Sequence, residues 1–341
     1  MNNLQKHPHK RLNILTNEWV LVSPHRNKRP WQGSEEEIQK KDSISYDPSC
    51  YLCPGNKRSN GKKNPNYEDV YVFDNDFAAL NLNHSNQKVE QGLLQAQIEQ
   101  GICRVICFSP DHSKSLADME INEIVKVITL WIDQYQELSD YPEINHVQIF
   151  ENKGSAMGCS NPHPHGQIWS QSSIPNEVLK KDFQQKKYFQ GKNRSLLLDY
   201  VNQELQNDVR IIFENDNFVL LVPFWAVWPY ETMIIPKNHQ THIGKMDSQQ
   251  IKSYAEAISM VTKMYDKVFN CAFPYSSGIH QMPTDKVDRS YWHWHMTFYP
   301  PLLRSATVKK FMVGYEMFGM PQRDITAETV AHQLKKIIYE I

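Results

Sequence analysis

The sequence lacks the features that mark membrane, disulfide-rich and nucleic-acid-binding proteins. It has no run of about 18 apolar residues, so we expect no membrane span. Six cysteines in 341 residues are too sparse for a disulfide scaffold. The 37 Lys and Arg residues nearly balance the 38 Asp and Glu residues, and the net charge of -1 does not support a general role on nucleic acid or on a membrane surface.

The overall composition is that of a packed globular protein. Residues 1–10 are polar and contain no apolar signal-peptide core, so we expect a cytoplasmic protein with reduced thiols. The length fits one large domain or two ordinary ones. Aromatic residues make up 11% of the chain and include eight tryptophans, which favours a packed core.

Residues 158–169 carry the strongest chemical signal and read Gly-Cys-Ser-Asn-Pro-His-Pro-His-Gly-Gln-Ile-Trp. In an extended chain, residues i and i+2 point to one face, so His163, His165 and Gln167 are expected on one side of a strand. Pro164 fixes its own φ and biases the preceding histidine towards an extended conformation. The motif therefore predicts a row of two imidazoles and a carboxamide.

The residues around this row predict its packing. Gly158 and Gly166 leave room for the close approach of a ligand or of another backbone. Ile168 and Trp169 predict that the strand continues through the protein interior.

Such a row suits phosphorus chemistry. A neutral imidazole is a nucleophile that needs no separate base, and a carboxamide two residues on can donate to an oxygen that gains negative charge. The alternative is that one histidine binds a metal and the other packs. The tripeptide alone does not decide, because His7-Pro8-His9 repeats it without the glycine and glutamine.

A C-x-x-C pair at Cys50 and Cys53 allows two thiolates to reach one ion, and zinc prefers sulfur and imidazole ligands. Its flanks, Asp47-Pro48 and Pro54-Gly55, form turns, whereas a redox pair sits at a helix start. The pattern favours zinc over redox chemistry. The remaining ligands must come from distant segments, most naturally from histidines.

A basic segment follows the strand predicted at residues 19–22. Arg26, Lys28 and Arg29 lie close together there. Arginine side chains match phosphate oxygens, so the segment fits an anion site. The alternative is a solvated basic loop, and the segment alone favours that interpretation.

The apolar periodicity predicts two copies of one α+β unit with a mixed, largely antiparallel sheet. His293 and His295 repeat the spacing of His163 and His165 near the end of the second copy. Ser115 is the expected cap of the first long helix. The expected strands are 19–22, 71–77, 104–112 (placing His112 at its end), 146–152, 218–222, 232–235 and 293–299; the expected helices are 121–135, two within 176–206 broken near Gly191, and 247–268.

The chain carries characteristic motifs at residues 23–31, 50–56, 73–77, 109–113 and 158–169 and in the long block 300–317. Through them it resembles, nearly end to end, the galactose-1-phosphate uridylyltransferase family, a branch of the histidine-triad superfamily. The resemblance implies an α+β fold with a largely antiparallel half-barrel sheet, flanking helices and two histidine-triad-like halves. Residues 1–176 would hold the zinc and the nucleophile, and residues 177–341 the hexose-phosphate segment.

The implied reaction is a ping-pong transfer in galactose metabolism, the Leloir pathway. His165 would attack the α-phosphorus of UDP-glucose and release glucose 1-phosphate, and galactose 1-phosphate would then take the uridylyl group to give UDP-galactose. Gln167 would donate to a non-bridging oxygen. The implied uridylyl and phosphate pocket is Arg26, Arg29, Phe73, Asn75, Asp76, Phe77, Asn152, Gly158, Ser160 and Gln167; the hexose phosphate would meet Lys310, Phe311, Val313, Tyr315, Glu316 and Gln322.

In many family members that last segment comes from the partner subunit, so a homodimer is expected. Two other functions stay open. One is a related nucleotidyltransferase or phosphorylase that uses another nucleotide sugar. The other is a non-catalytic, zinc-dependent nucleotide-binding protein, against which the intact catalytic motif argues.

The resemblance also assigns the metals. Cys50, Cys53, His112 and His163 match the zinc ligands of the family, which leaves His165 as the nucleophile. Some members hold a second metal with one glutamate and three histidines. Here His280 and His295 match, but Lys181 and Thr297 stand at the other two positions, so we expect one zinc per subunit and no second metal, with a rearranged site through Glu177 and His293 as the alternative.

Overall fold

The structure, a computed structural model, describes residues 4–28, 44–83 and 87–340. None of the helices in this part of the chain is long and apolar enough to cross a membrane. Its strands are β1 (His9–Asn13), β2 (Glu18–Val22), β3 (Tyr71–Asp74), β4 (Lys88–Gln91), β5 (Leu94–Gln97), β6 (Gly101–Cys107), β7 (His146–Lys153), β8 (His165–Gln171), β9 (Ile211–Glu214), β10 (Phe218–Leu221), β11 (Thr232–Pro236), β12 (Tyr275–His280), β13 (His295–Tyr299), β14 (Leu302–Ser305), β15 (Val308–Lys309) and β16 (Gln322–Arg323). Its α-helices are α1 (Ile121–Ser139), α2 (Asn176–Lys192), α3 (Leu196–Asn207), α4 (Ser248–Val268), α5 (Tyr315–Phe318) and α6 (Ala327–Ile338).

Within the described residues, nine strands form one open sheet in the order β3-β6-β8-β7-β12-β13-β11-β10-β9. Every neighbouring pair in it is antiparallel. Outward from the central β7–β12 pair, one side runs β8, β6, β3 and the other β13, β11, β10. In each half a long helix, α1 or α4, precedes the innermost strand. This order confirms the predicted α+β fold and its repeated unit.

The two faces of this sheet carry different residues because side chains alternate along each strand. One face packs its isoleucines, such as Ile106, Ile168 and Ile279, against α1 and α4 in the main core. The opposite face carries His165 and Gln167. A paired row of residues crosses this second face through Phe73, Val105, Gln167, Phe150, Gly278 and Thr297.

A buried charge network joins the N-terminal hairpin to the C-terminal helix. Arg11 on β1 donates to both carboxylate oxygens of Glu328 on α6, at 2.9 and 2.8 Å. Arg210 donates to the same carboxylate at 2.8 Å and to Glu204 on α3 at 3.0 Å. Burial opposes ionisation of Glu328, but the hydrogen bonds and charge of the two arginines outweigh it and lower the pKa of Glu328 to about 2. The network therefore holds both chain ends against α3.

Helix ends follow capping chemistry, and one predicted cap is wrong. The helix α1 begins at Ile121, where the backbone N–H of Glu120 donates to the Glu123 carboxylate at 2.8 Å, as in a capping box. Ser115 instead bonds Asp118, at 2.8 Å, in the preceding turn. Serine was the stronger sequence signal, but it lies too far before the helix to reach its free N–H groups.

Two boundaries near the histidines also differ from the prediction. Strand β6 ends at Cys107, so His112 lies in the loop that follows it rather than on the strand. The break between α2 and α3 falls near Gly191 as predicted: it lies at Asn193, whose φ of 53° ends α2 in a left-handed conformation. Strand β13 begins at His295, so His293 precedes it.

Candidate active site

Four side chains from three separate segments meet in a buried cluster. Cys50, Cys53, His112 and His163 each offer one ligand atom, and these atoms all lie within 4.8 Å of one another. The Cys53 Sγ lies 3.5 Å from Nδ1 of His112 and 3.6 Å from Nδ1 of His163. Such spacing suits a tetrahedral ion with bonds of about 2.0–2.3 Å to nitrogen and sulfur.

Local hydrogen bonds form the turn that presents the two thiols. The backbone N–H of Cys53 donates to the Cys50 carbonyl at 3.2 Å. Asn56 donates its side-chain amide to the carbonyls of Asp47, at 2.9 Å, and Cys50, at 2.8 Å. The predicted turn chemistry around this pair is confirmed.

Burial sets the charge preference of the cluster. It raises the pKa of the Cys53 thiol to about 11 and lowers the pKa of His163 to about 3. Without an ion these groups therefore stay neutral. A dication would favour the thiolates instead, so the donor set fits a zinc ion.

Asn161 and Tyr67 hold the ligands in place, and sequence reasoning missed both. Asn161 Oδ1 accepts from the His163 backbone N–H at 2.9 Å, and its NH₂ group lies 3.4 Å from Cys50 Sγ. The Tyr67 hydroxyl lies 3.1 Å from His163 Nε2 and donates to the Leu52 carbonyl at 2.6 Å. The hydroxyl therefore accepts from Nε2–H, which leaves the Nδ1 lone pair of His163 facing Cys53.

His165 has the tautomer of a nucleophile. Its Nδ1 lies 2.7 Å from the His163 carbonyl oxygen, and only an N–H can make that bond. The lone pair is consequently on Nε2. Burial lowers the pKa of His165 below its ordinary value, which keeps the ring neutral. His165 begins β8, whereas His163 precedes that strand and belongs to the thiol cluster, so the prediction that both histidines lie on one strand is wrong.

Two carboxamides on the His165 face present hydrogen-bond donors. Trp169 donates its indole N–H to the Gln167 amide oxygen at 3.2 Å. Ser276 on β12 pairs with Asn152 on β7, and its hydroxyl donates to the Asn152 amide oxygen at 2.7 Å. Because both amide oxygens are used, the NH₂ groups are the parts that a ligand can meet.

Trp169 is more exposed than its predicted place in a buried strand allows. Its side chain is 37% accessible because it lies on the face of Gln167, whereas Ile168 on the opposite face is fully buried. Because side chains alternate along β8, some residues of the motif face the core and the others face the candidate site. No local sequence signal identified Trp169 or Ser276 as the residues that orient the carboxamides.

The two glycines of the motif have different roles. Gly158 has a φ of 76°, a left-handed conformation that L side chains rarely adopt. At Gly166, a Cβ would lie 2.7 Å from the Phe108 ring and 3.0 Å from the Phe150 carbonyl, so no larger residue fits between them. The predicted close approach is confirmed at Gly166, where it involves the protein itself.

A cavity of about 590 Å³ opens beside His165. Asn152, Ser160 and Lys153 line it together with the ligand histidines. Of the predicted pocket residues, Asn152, Ser160 and His165 are thus brought together. Gly158 and Gln167 lie beside them along the chain.

The other predicted substrate residues that the structure describes do not line this cavity. Phe73, under the Arg58 guanidinium at 4.1 Å, and the exposed Phe77 stand with Asn75 and Asp76 around the end of β3. Arg29 falls outside the described residues. A second cavity, of about 490 Å³, is lined by Arg26, Lys310, Phe311, Val313, Tyr315, Glu316 and Gln322.

Comparison with known proteins agrees with the site. The family model described as galactose-1-phosphate uridyl transferase, N-terminal domain, matches residues 1–175, and the corresponding C-terminal domain matches residues 180–341. Galactose-1-phosphate uridylyltransferase of Haemophilus influenzae is 50% identical, with 97% of this chain and 95% of that protein covered. The enzyme of that name from Schizosaccharomyces pombe is 45% identical, with the same coverage of both chains.

A solved structure of a uridylyltransferase superimposes with a TM-score of 0.77 at 24% identity and covers 97% of this chain and 98% of its own. That likeness concerns the fold. Together with the two family models and the near full-length relatives, it shows that the chain belongs to the galactose-1-phosphate uridylyltransferase family.

Proposed function

We propose that this chain transfers a uridylyl group from UDP-glucose to galactose 1-phosphate through a covalent uridylyl-histidine at His165. The observation that carries the proposal is the bond from Nδ1–H of His165 to the His163 carbonyl, at 2.7 Å, which leaves Nε2 as the nucleophile. Membership of the family supports the two substrates. The reaction belongs to galactose metabolism, and we place it in the cytoplasm.

The first half-reaction needs no proton transfer. Nε2 of His165 forms a bond to the α-phosphorus while the bond to the β-phosphate oxygen breaks, and glucose 1-phosphate leaves with the electron pair. The imidazole gains positive charge, which the His163 carbonyl stabilises through Nδ1–H. The NH₂ groups of Gln167 and Asn152 donate to the non-bridging oxygens. A phosphate oxygen of galactose 1-phosphate then reverses these steps.

The family zinc would be held by Cys50, Cys53, His112 and His163, one ion per subunit. When bound, it supplies fixed geometry, because it ties three distant segments together. Its effect on the reaction runs through the chain itself. His163 presents the carbonyl that orients His165, so a rigid His163 keeps Nε2 directed at the substrate.

We further infer a homodimer in which each subunit completes the site of the other. The separation of the predicted substrate residues into two cavities of one chain supports this arrangement. So does the exposed apolar surface of the hexose-phosphate segment, where Phe311, Met317 and Phe318 are 56%, 70% and 91% accessible. Residues 1–176 would then carry the zinc and the nucleophile. Residues 177–341 would carry the hexose-phosphate segment that contributes to the partner subunit's site.

Mixing two inactive variants tests the shared site. His165→Ala removes the nucleophile, and Glu316→Ala alters the hexose-phosphate segment. Hybrid dimers would hold one site with both defects and one intact site, so refolding an equal mixture should recover roughly one quarter of wild-type activity. If each site were built within one chain, the refolded mixture would recover no activity. Each variant refolded alone is the control.

Donor choice tests the proposed activity against its nearest rival. We expect ³¹P NMR to show UDP-galactose and glucose 1-phosphate forming from UDP-glucose and galactose 1-phosphate, with turnover on ADP-glucose lower by at least about 100-fold. A preference for ADP-glucose would assign a sister nucleotidyltransferase or phosphorylase activity. Tight binding of UDP-glucose without turnover, on zinc-loaded dimer, would favour a binding protein.

A further inference from the structure

Lys181 is a buried cation bonded to an imidazole. It lies on α2, over the sheet face that carries His165, and is only 6% accessible. Its Nζ donates to Nδ1 of His280 at 2.7 Å. Among the described residues, no carboxylate lies within ion-pair distance of it, whereas its neighbour Lys180 pairs with Glu18 and Glu177 at 2.8 Å. Burying an ammonium group costs free energy, so we expect Lys181 to have a role that offsets this cost.

The second nitrogen of His280 is also used. Since Nδ1 accepts from Lys181, the proton of the neutral ring is on Nε2, and Nε2–H donates to the Thr297 hydroxyl oxygen at 2.8 Å. The chain of bonds therefore runs from ammonium to imidazole to hydroxyl. It joins α2, β12 and β13, and it leaves His280 without a lone pair for an ion.

Lys181 and Thr297 are the same two residues that depart from the family pattern for a second metal. The glutamate position holds the cation, one histidine position holds the hydroxyl, and both contact the retained His280. Of the described residues, only Cys50, Cys53, His112 and His163 form a group able to hold a metal. The donor set around Lys181 therefore does not fit the second ion.

The rearranged site through Glu177 and His293 does not form either. Glu177 pairs with Lys180 at 2.8 Å. Both ring nitrogens of His293 bond the backbone: Nδ1 accepts from the N–H of Gln240 at 3.2 Å, and Nε2 lies 2.9 Å from the Pro236 carbonyl. Neither residue is directed at His280.

We propose that the Lys181 ammonium takes the place of the second metal ion of the family. The Thr297 hydroxyl, at a position where the family has a histidine ligand, accepts the hydrogen bond from His280 Nε2–H. The ammonium supplies the positive charge and the link between α2 and the sheet. The chain then binds one metal and is indifferent to the supply of a second.

Access does not explain the exclusion of a metal. A cavity of about 300 Å³ is lined by Lys181, His295 and Thr297 and extends to Met312 and Glu316 of the hexose-phosphate segment. His295 stacks on His280 with ring centroids 4.7 Å apart, and neither of its ring nitrogens has a hydrogen-bond partner among the described residues. His295 therefore offers an imidazole ligand. An ion is excluded by the charge of the Lys181 ammonium and by the hydrogen bonds that use both ring nitrogens of His280.

Metal counting on the dimer tests the proposal without reference to activity. Wild-type protein, Lys181→Glu/Thr297→His and the control Lys180→Glu are loaded with excess Zn²⁺ or Co²⁺, dialysed and analysed by plasma mass spectrometry. The control makes the same charge change one residue away on the exposed side of α2. We expect one metal per chain in the wild type and control, and two in the double variant.

Cobalt distinguishes the two sites spectroscopically. The cysteine site gives thiolate charge-transfer bands, so the second ion should add visible absorption without increasing those bands. Two tightly held ions in the wild type would overturn the proposal, and so would a folded double variant that binds one. Should the double variant not fold, Lys181→Glu alone supplies a carboxylate beside His280 and His295, and it must then bind more Co²⁺ than the Lys180→Glu control.

Discussion

Replacing His165 with alanine is expected to lower the turnover rate by at least about 10⁴-fold, since the substitution removes the nitrogen that we propose forms the covalent bond. The Asn152 and Gln167 donors remain, so UDP-glucose should still bind with an affinity near that of the wild type. The measurement is kcat for UDP-galactose formation, with binding followed by isothermal titration calorimetry. A loss of affinity with little change in kcat would contradict the role of nucleophile.

The matched control for this variant is His163→Ala, two residues away. His165 does not belong to the group that could hold the metal, so His165→Ala should keep about one zinc per chain. His163→Ala removes a ligand and should lose most of the zinc as well as activity. If His165→Ala also lost its zinc, the division of the two histidines into ligand and nucleophile would be wrong.

The second large effect is expected from Cys53→Ser. Cys53 Sγ lies 3.5 and 3.6 Å from Nδ1 of His112 and His163, so its loss removes a contact to both histidines of the cluster. We expect zinc to fall from about one per chain to near zero and the unfolding temperature to fall by roughly 5–10 °C, because a structural ion contributes several kcal/mol to folding. Activity should fall with it, since His163 would no longer hold His165.

Cys107 provides the control for that experiment. It is a buried thiol at the end of β6, next to the cluster, and burial raises its pKa to about 12. Its Sγ faces the Leu52 carbonyl at 4.0 Å and is no part of the ligand group. Cys107→Ala should keep its zinc and most of its activity. Loss of zinc from Cys107→Ala, or its retention in Cys53→Ser, would contradict the assigned ligand set.

The residues of the candidate metal group and the proposed nucleophile could be located from the sequence because they fall in short motifs. Cys50 and Cys53 are separated by two residues, and turn formers flank them. His165 stands two residues from His163, where the extended backbone brings one carbonyl to the other imidazole. Such local geometry follows from backbone sterics alone.

The supporting contacts could not be predicted because they depend on strand register. Ser276 meets Asn152 only because β7 and β12 pair with that register. Lys181 reaches His280 across 99 residues of sequence. A one-residue shift in the pairing of β7 with β12 would turn Asn152 or Ser276 to the opposite face, and no local pattern fixes that register; the contact of Lys181 depends on how α2 packs on the sheet. The sequence places Trp169 wrongly in the interior, because the face that its side chain occupies is set by the pairing of β8 within the sheet.

The central claim is a covalent uridylyl group on His165, and intact mass spectrometry tests it most directly. The zinc-loaded protein is mixed with UDP-glucose without an acceptor, beside His165→Ala. The account predicts the mass gain of one uridylyl group per chain, labile in acid, discharged by galactose 1-phosphate and absent from the variant. No mass gain in the wild type, or an equal gain in the variant, would contradict it.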